Sequence, residues 1–170
     1  MRRTILYSEQ QIAERIREIA HDIAGGPVMP HLAAPILVGA YVFASDLLRA
    51  LTGEGISLPT EFLWLRSYTG RSSGKGISVL VGPNENFRGK NVLLVDGVLD
   101  GGHTIAKARD LVLDYGAAAV TSVVVVDKLR PDAVIKADHA CFTGTREFIV
   151  GYGMDDSGNG RALPYIAIAN

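Results

Sequence analysis

The chain has 170 residues, 48% of them hydrophobic, with 17 Lys and Arg against 18 Asp and Glu and a formal net charge of −1. That size and apolar content suit one globular unit with a sizeable core, and the near-neutral, scattered charge argues against broad electrostatic capture of nucleic acid. The single cysteine, Cys141, excludes an intramolecular disulfide framework. No apolar run approaches the ~18 residues of a membrane helix, and Met1-Arg2-Arg3 leads into no long apolar signal region, so the expectation is a soluble cytoplasmic protein.

Ser8 and Gln11 have the spacing of a capping box, and Ile12, Ile16, Ile19 and Ile23 then recur at helical spacing. Gly25-Gly26-Pro27 ends that helix. Pro35 to Val38 reads as a short buried strand. After Gly39 comes a helix with Phe43, Leu47, Leu48 and Leu51 on its apolar face. Thr60 to Leu65 and Ile77 to Val81 read as strands, separated by a polar, glycine-rich loop at 69–76, TGRSSGKG. Val92 to Val95 has no polar alternation, as expected of a strand buried on both faces. Ile105, Ala108, Val112 and Tyr115 give the next helix its stripe, and Val120 to Val126 is another continuous apolar strand. Alternating buried strands and helices predict an α/β fold with a largely parallel sheet flanked by helices. From Ala137 onward the pattern changes to short strand candidates, Phe148 to Val150 and Tyr165 to Ile168, which suit a small antiparallel lobe packed with the N-terminal region.

The stretch NVLLVDGVLDGGHTIA, residues 91–106, carries the chemistry. It leaves a buried strand through Asp96 and Asp100, then Gly101 and Gly102, and starts a helix at once. Ligands of open α/β sheets bind at the carboxyl ends of strands. Glycines there allow close backbone approach, Thr104 could cap the helix, and free N–H groups at the helix start favour a phosphate. The acids would repel a phosphate placed on them, so they fit beside it, toward hydroxyls, a metal or a proton in transit. The pattern suggests a phosphorylated sugar; an ordinary strand–turn–helix connection with solvated acids fits the same residues. No dinucleotide G-x-G-x-x-G fingerprint occurs here, and GRSSGKG lacks the spacing and the Ser or Thr of a P-loop.

At these residues the sequence resembles the type I phosphoribosyltransferases, whose phosphoribosyl-pyrophosphate motif is similar to VLLVDGVLDGGHT. The hypoxanthine (6-oxopurine) subfamily matches over nearly the whole chain, through ILVGAYVFASDLLRAL, RSYTG, VVDKLRPD, FIVGYGMD, Arg161 and LPYIAI. The resemblance implies that family's fold over residues 1–170 as one domain, with roughly 137–170 contributing a hood. It implies purine salvage by a glycosyltransferase: hypoxanthine or guanine plus phosphoribosyl pyrophosphate gives IMP or GMP plus pyrophosphate. It further implies Asp100 as the general base for the purine N7 proton and Asp96 facing the ribose hydroxyls or a magnesium ion. Gly101, Gly102, His103 and Thr104 would hold the 5′-phosphate, and Val38 and Gly39 the pyrophosphate. Lys128 would donate to the purine O6, Phe148 would stack on the base with the Ile149 backbone at its edge, and Asp155 would bind a second Mg2+. Arg161 would pair with pyrophosphate, and Ser67 and Tyr68 would belong to a lid. A homodimer or homotetramer is implied, with no nucleic-acid or membrane partner.

Three positions depart from the family pattern: Gly101 replaces the more usual Thr or Glu, Val38 stands where some members have Lys, and the third removes a carboxylate. Gly97 stands where a second acid is usual. Two alternatives stand beside this reading: a xanthine-preferring enzyme, a choice that the resemblance assigns to the position after Phe148 and the residues near Asp155, and, favoured by Gly97, a phosphoribosyltransferase-like regulator that binds nucleotide with little or no catalysis.

Overall fold

The computed structural model describes residues 4–67 and 76–169. Strand β1 (Thr4–Tyr7) leads into helix α1 (Glu9–Ala24). The helix starts where it does because the Ser8 hydroxyl accepts the Gln11 N–H while the Gln11 side chain accepts the Ser8 N–H at 2.9 Å, which satisfies two otherwise orphaned donors. Its buried residues are Ile12, Ile16, Ile19, Ala20 and Ile23, the stripe expected from the spacing. β2 (Leu32–Leu37) is followed by α2 (Tyr41–Gly53), which buries Phe43, Ala44, Leu47 and Leu51.

β3 (Leu63–Ser67) lies later in the chain than the pattern from Thr60 to Leu65 predicts. Thr60 makes only an isolated bridge to Ala33, and the chain is extended through Ser67 because β4 (Ile77–Val81) pairs with it antiparallel. β5 (Asn91–Leu99) continues well past the expected apolar core, through Asp96 and Gly97, because β6 (Ala119–Asp127) pairs with it in parallel along its whole length. Helix α3 (His103–Asp114) joins them. β7 (His139–Thr143), β8 (Ile149–Val150) and β9 (Ile166–Ile168) complete the chain.

Six strands form one sheet in the order β4-β3-β2-β5-β6-β7, parallel except for β4. Short β1, β9 and β8 form a second, antiparallel sheet. The terminal lobe is thus antiparallel and packed with the N-terminus, as the pattern suggests, but β7 is not part of it. Residues 139–143 extend the main sheet, a placement fixed by backbone pairing with Val123 to Asp127 rather than by any local alternation.

The main sheet separates two apolar layers. On one face α1 and α2 pack over Leu93, Val95, Val123 and Val125. On the other, Ile105, Ala108 and Val112 of α3 pack over Leu32, Leu94, Val120 and Val124. The small sheet joins the first layer through Ile149 and Ile166. Its entry depends on Gly151, whose φ is 106° and where an added Cβ would lie 2.0 Å from the Tyr165 carbonyl oxygen. Gly151→Ala is expected to lower stability by more than about 2 kcal/mol, the scale of a strained backbone combined with a core clash. Urea unfolding monitored by circular dichroism measures it.

Candidate active site

Two adjacent parallel strands, β2 and β5, send their following helices to opposite faces of the sheet. Such a switch point opens a crevice at the strand ends. Its floor is made of backbone in close approach. Cβ atoms added at Gly97 and at Gly153 would lie 3.0 Å and 2.3 Å from the same Gly39 carbonyl oxygen. Gly97 therefore has a packing reason to lack a side chain. A side chain there would press on the segment that follows β2.

The β5–α3 turn forms a cavity of about 190 Å³ lined by Ser67, Asp96, Val98, Asp100, Gly101, Gly102, His103 and Thr104, among others. Gly102 is left-handed (φ 77°), and a Cβ there would lie 2.9 Å from the Ile135 side chain and 3.1 Å from its carbonyl. Gly102, not Thr104, is the N-cap of α3, and no side chain caps it. The expected Thr104 cap is absent because the helix starts at His103, so Thr104 already lies within the first turn. The leading N–H groups of α3 have no intrahelical acceptors and, with the helix dipole, present partial positive charge to the cavity.

Asp96 lies at the inner wall. Its Oδ1 accepts the Gly97 N–H at 2.7 Å, and no cation pairs with it among the described residues. Burial pushes its carboxyl up to about 7, against the lowering effect of that hydrogen bond.

The register Leu99↔Asp127 sets the next residues of β5 and β6, Asp100 and Lys128, side by side. Lys128 Nζ lies 3.2 Å from Asp100 Oδ2, and Arg130 Nη1 donates to Asp100 Oδ1 at 2.9 Å. Partial burial raises the Asp100 carboxyl, but the hydrogen bonds and charges of Arg130 and Lys128 outweigh it and hold the group below the usual carboxylate range. The loop that carries both cations is tied down at its two ends by Asp127. This buried carboxylate accepts the Leu129 N–H at 2.8 Å and the Ala137 N–H at 3.2 Å.

Asp155 and Arg161 form a separate group in the C-terminal segment. They pair at 2.6 Å, Arg161 also donates to the Gly153 carbonyl at 2.7 Å, and Asp155 Oδ2 accepts the Gly158 N–H at 2.7 Å. Phe148 is 58% exposed just before β8, whereas Ile149 is buried. Val38 is exposed at the end of β2, next to Gly39. Cys141 is buried and its thiol is pushed up to about 12, which disfavours a thiolate nucleophile.

The model of the phosphoribosyl transferase domain family matches residues 3–157. The chain is 31% identical over 171 residues to the hypoxanthine-guanine phosphoribosyltransferase of Streptococcus pneumoniae, covering 96% of this chain and 91% of that one. The chain belongs to the phosphoribosyltransferase family. It is also 32% identical to the bifunctional protein TilS/HprT of Listeria innocua, again over 96% of this chain but only 25% of that longer protein. A Trypanosoma cruzi hypoxanthine phosphoribosyltransferase in complex with the product IMP superposes with a TM-score of 0.87 at 28% identity, covering 98% of this chain and 93% of that one.

In this phosphoribosyltransferase the fold brings Ser67, Asp96, Asp100, Gly101, Gly102, His103 and Thr104 around one cavity, with Lys128 against Asp100. The Gly39 carbonyl connects that region to Gly153, and Gly153 connects to Arg161 and Asp155. Tyr68 lies outside the described residues, as do 69–75 of the proposed lid. Reading the sequence alone missed Arg130 and Asp127. Arg130-Pro131-Asp132 places opposite charges on either side of a proline, which was the available signal, but only the fold turns them toward Asp100.

Asp96 supplies a pH test. Its folded-state value is raised, so the unfolded chain releases the proton first and the stability cost grows from about pH 4 to pH 7, then stays constant. In metal-free buffer Asp96→Asn is expected to raise Tm at pH 8, with the gain vanishing near pH 4; calorimetry at both values checks it. At Gly97, introducing an acid must displace the Gly39 backbone. Gly97→Asp is expected to cost about 1–3 kcal/mol and to lower turnover, as thermal melts and initial rates would register.

Proposed function

We propose that this phosphoribosyltransferase joins a 6-oxopurine, hypoxanthine or guanine, to the ribose C1 of phosphoribosyl pyrophosphate, forming IMP or GMP and releasing pyrophosphate. The observation that carries this reading is the pairing of Asp100 with Lys128 at adjoining strand ends, beside the amide cradle of the Gly102–α3 turn. The cradle binds the 5′-phosphate of the sugar through Gly101, Gly102, His103 and Thr104. Beyond it Asp100, ionised at neutral pH because its two cationic neighbours keep it so, accepts the N7 proton as the C1–N9 bond forms and the C1–pyrophosphate bond breaks. The same negative charge stabilises the cation-like ribose of the transition state. Lys128 moves from Asp100 to the purine O6; its donor has no acceptor in the amino group of adenine, which disfavours that base. Exposed Phe148 offers its ring face to the purine, and the Ile149 backbone meets the base edge.

Asp96 suits Mg2+ and the ribose diol, because a half-buried carboxylate with a raised proton affinity and no countercharge gains from a divalent ion. Asp155 is a hard oxygen donor engaged by Arg161, so a second ion there would share or replace that pairing. Magnesium, when bound, neutralises phosphate charge; Val38, Gly39 and Arg161 orient the departing pyrophosphate, and Ser67 with Tyr68 excludes water. The chain works as a cytoplasmic homodimer or homotetramer. Exposed Val79, Leu80 and Val81 on edge strand β4 are consistent with self-association. The regulator alternative drew on Gly97, and the close approach of the Gly39 carbonyl gives that glycine another reason.

The test is a spectrophotometric assay with phosphoribosyl pyrophosphate, Mg2+ and each of hypoxanthine, guanine, xanthine and adenine. Turnover of hypoxanthine or guanine is expected, and Asp100→Asn should lower kcat by about 10²–10⁴-fold with KM little changed. Turnover of adenine alone would remove the assigned role of Lys128.

A further inference from the structure

We propose that Arg130 is a positioning residue for this transfer: braced on Asp132, its guanidinium anchors one oxygen of Asp100 so that the other is free to work at the purine. The inference rests on the phosphoribosyl-transfer reading above.

The geometry divides the two oxygens of Asp100 between different partners. Oδ1 accepts from Arg130 at 2.9 Å, while Oδ2 faces Lys128 at 3.2 Å. In the transfer reaction Lys128 leaves for the purine O6, which uncovers Oδ2 on the side where N7 arrives. Arg130 has no such second destination. Its Nε and Nη2 form a fork to the two oxygens of Asp132, at 2.9 and 2.8 Å, and only Nη1 reaches Asp100. A planar guanidinium held along one edge by a carboxylate has little rotational freedom left, so its remaining donor is aimed.

The backbone beneath it is equally constrained. Pro131 fixes one φ of the turn, and the Ala133 N–H closes it on the Arg130 carbonyl at 3.1 Å. The loop is then tied to the strand and turn carrying Asp100: the Lys128 N–H donates to the Leu99 carbonyl, and the Val134 N–H to the Gly101 carbonyl, both at 3.0 Å. The cation and the carboxylate are therefore parts of one framework rather than a loose surface pair.

Other charges share the surroundings of Asp100. Asp96 on β5 and His103 at the start of α3 line the first cavity with it. Lys128, Arg130, Asp132 and Arg146 line a second, of about 400 Å³, on its other side. Lys128 and Arg130 alone make direct ion pairs with Asp100 among the described residues. Once Lys128 moves to the base, Arg130 is the cation still in contact with Asp100. It keeps the carboxylate ionised as an acceptor and prevents its rotation.

Arg130→Gln and Arg130→Lys, with Asp132→Asn as an independent probe of the brace, test this through pH–rate profiles. Loss of the cation leaves the Asp100 anion less stabilised, so the acid limb of kcat/KM should move to higher pH in Arg130→Gln, by about half to one unit given the solvent exposure of the pair. Its kcat should fall roughly tenfold, with KM for the purine nearly unchanged. Arg130→Lys should recover the acid limb more fully than kcat, because it restores charge without the fork. Asp132→Asn should lower kcat with a smaller shift of the limb. An Arg130→Gln enzyme with the wild-type acid limb and kcat, or with its loss confined to KM, overturns the inference while the transfer reading stands. Should Arg130→Gln fail to fold, a wild-type kcat in both other variants overturns it equally. Absence of turnover by the unmodified protein on every 6-oxopurine removes both.

Discussion

The parallel pairing of β5 with β6 is the constraint on which the site depends. A parallel ladder keeps both strands pointing the same way, so both chains emerge at the same edge of the sheet. Leu99 opposite Asp127 makes Asp100 and Lys128 neighbours although 28 positions separate them in the chain. Slipping that register by one residue would exchange the two faces of each strand. Leu93 and Val95 would leave the layer under α1 and α2, and Leu94 would leave the layer under α3. The apolar core on both faces thus guards the placement of two polar groups at its rim.

A second constraint is the crowding of backbone around the Gly39 carbonyl. Gly97 and Gly153 approach it from different segments; a Cβ at Gly153 would collide with it at 2.3 Å, and one at Gly97 would sit tightly against it at 3.0 Å. The segment after β2, strand β5 at Gly97 and the C-terminal segment with Asp155 and Arg161 meet there. Glycine at position 97, a departure from the family pattern when read alone, follows from this three-way contact. The proposed pyrophosphate, ribose and metal groups are thereby held close without any long side chain spanning between them.

Charge is arranged with the same economy. Asp96 is a half-buried carboxylate without a cationic partner among the described residues, and its proton affinity is raised. Asp100, near it in the same cavity, is flanked by two cations, and its proton affinity is lowered. Two chemically similar acids on one strand end are thus separated in character by their surroundings. One suits a cation or hydroxyls, and the other suits a proton acceptor that stays ionised at neutral pH.

Most of the main sheet was legible in the sequence, because Val92 to Val95 and Val123 to Val126 are short unbroken apolar runs rich in β-branched residues, and α1 announces itself by its cap and isoleucine stripe. The strand-to-helix turn after β5 was legible too, since Gly101 and Gly102 stand between an apolar run and a helical stripe. The sequence did not reveal β1 or β7, whose residues have no decisive local pattern and become strands only through partners far along the chain. It did not reveal that Gly102 rather than Thr104 caps α3, because that position is left-handed and closely packed against Ile135 from a later loop. Nor could it show Arg130 on Asp100 or Asp127 holding both ends of the loop. Local composition by itself determined which segments are buried and where a glycine-rich turn links a strand to a helix, because burial and backbone freedom are properties of neighbouring residues. The tertiary structure alone decided which charges meet, because an ion pair depends on a few ångströms between residues whose separation only the strand register sets.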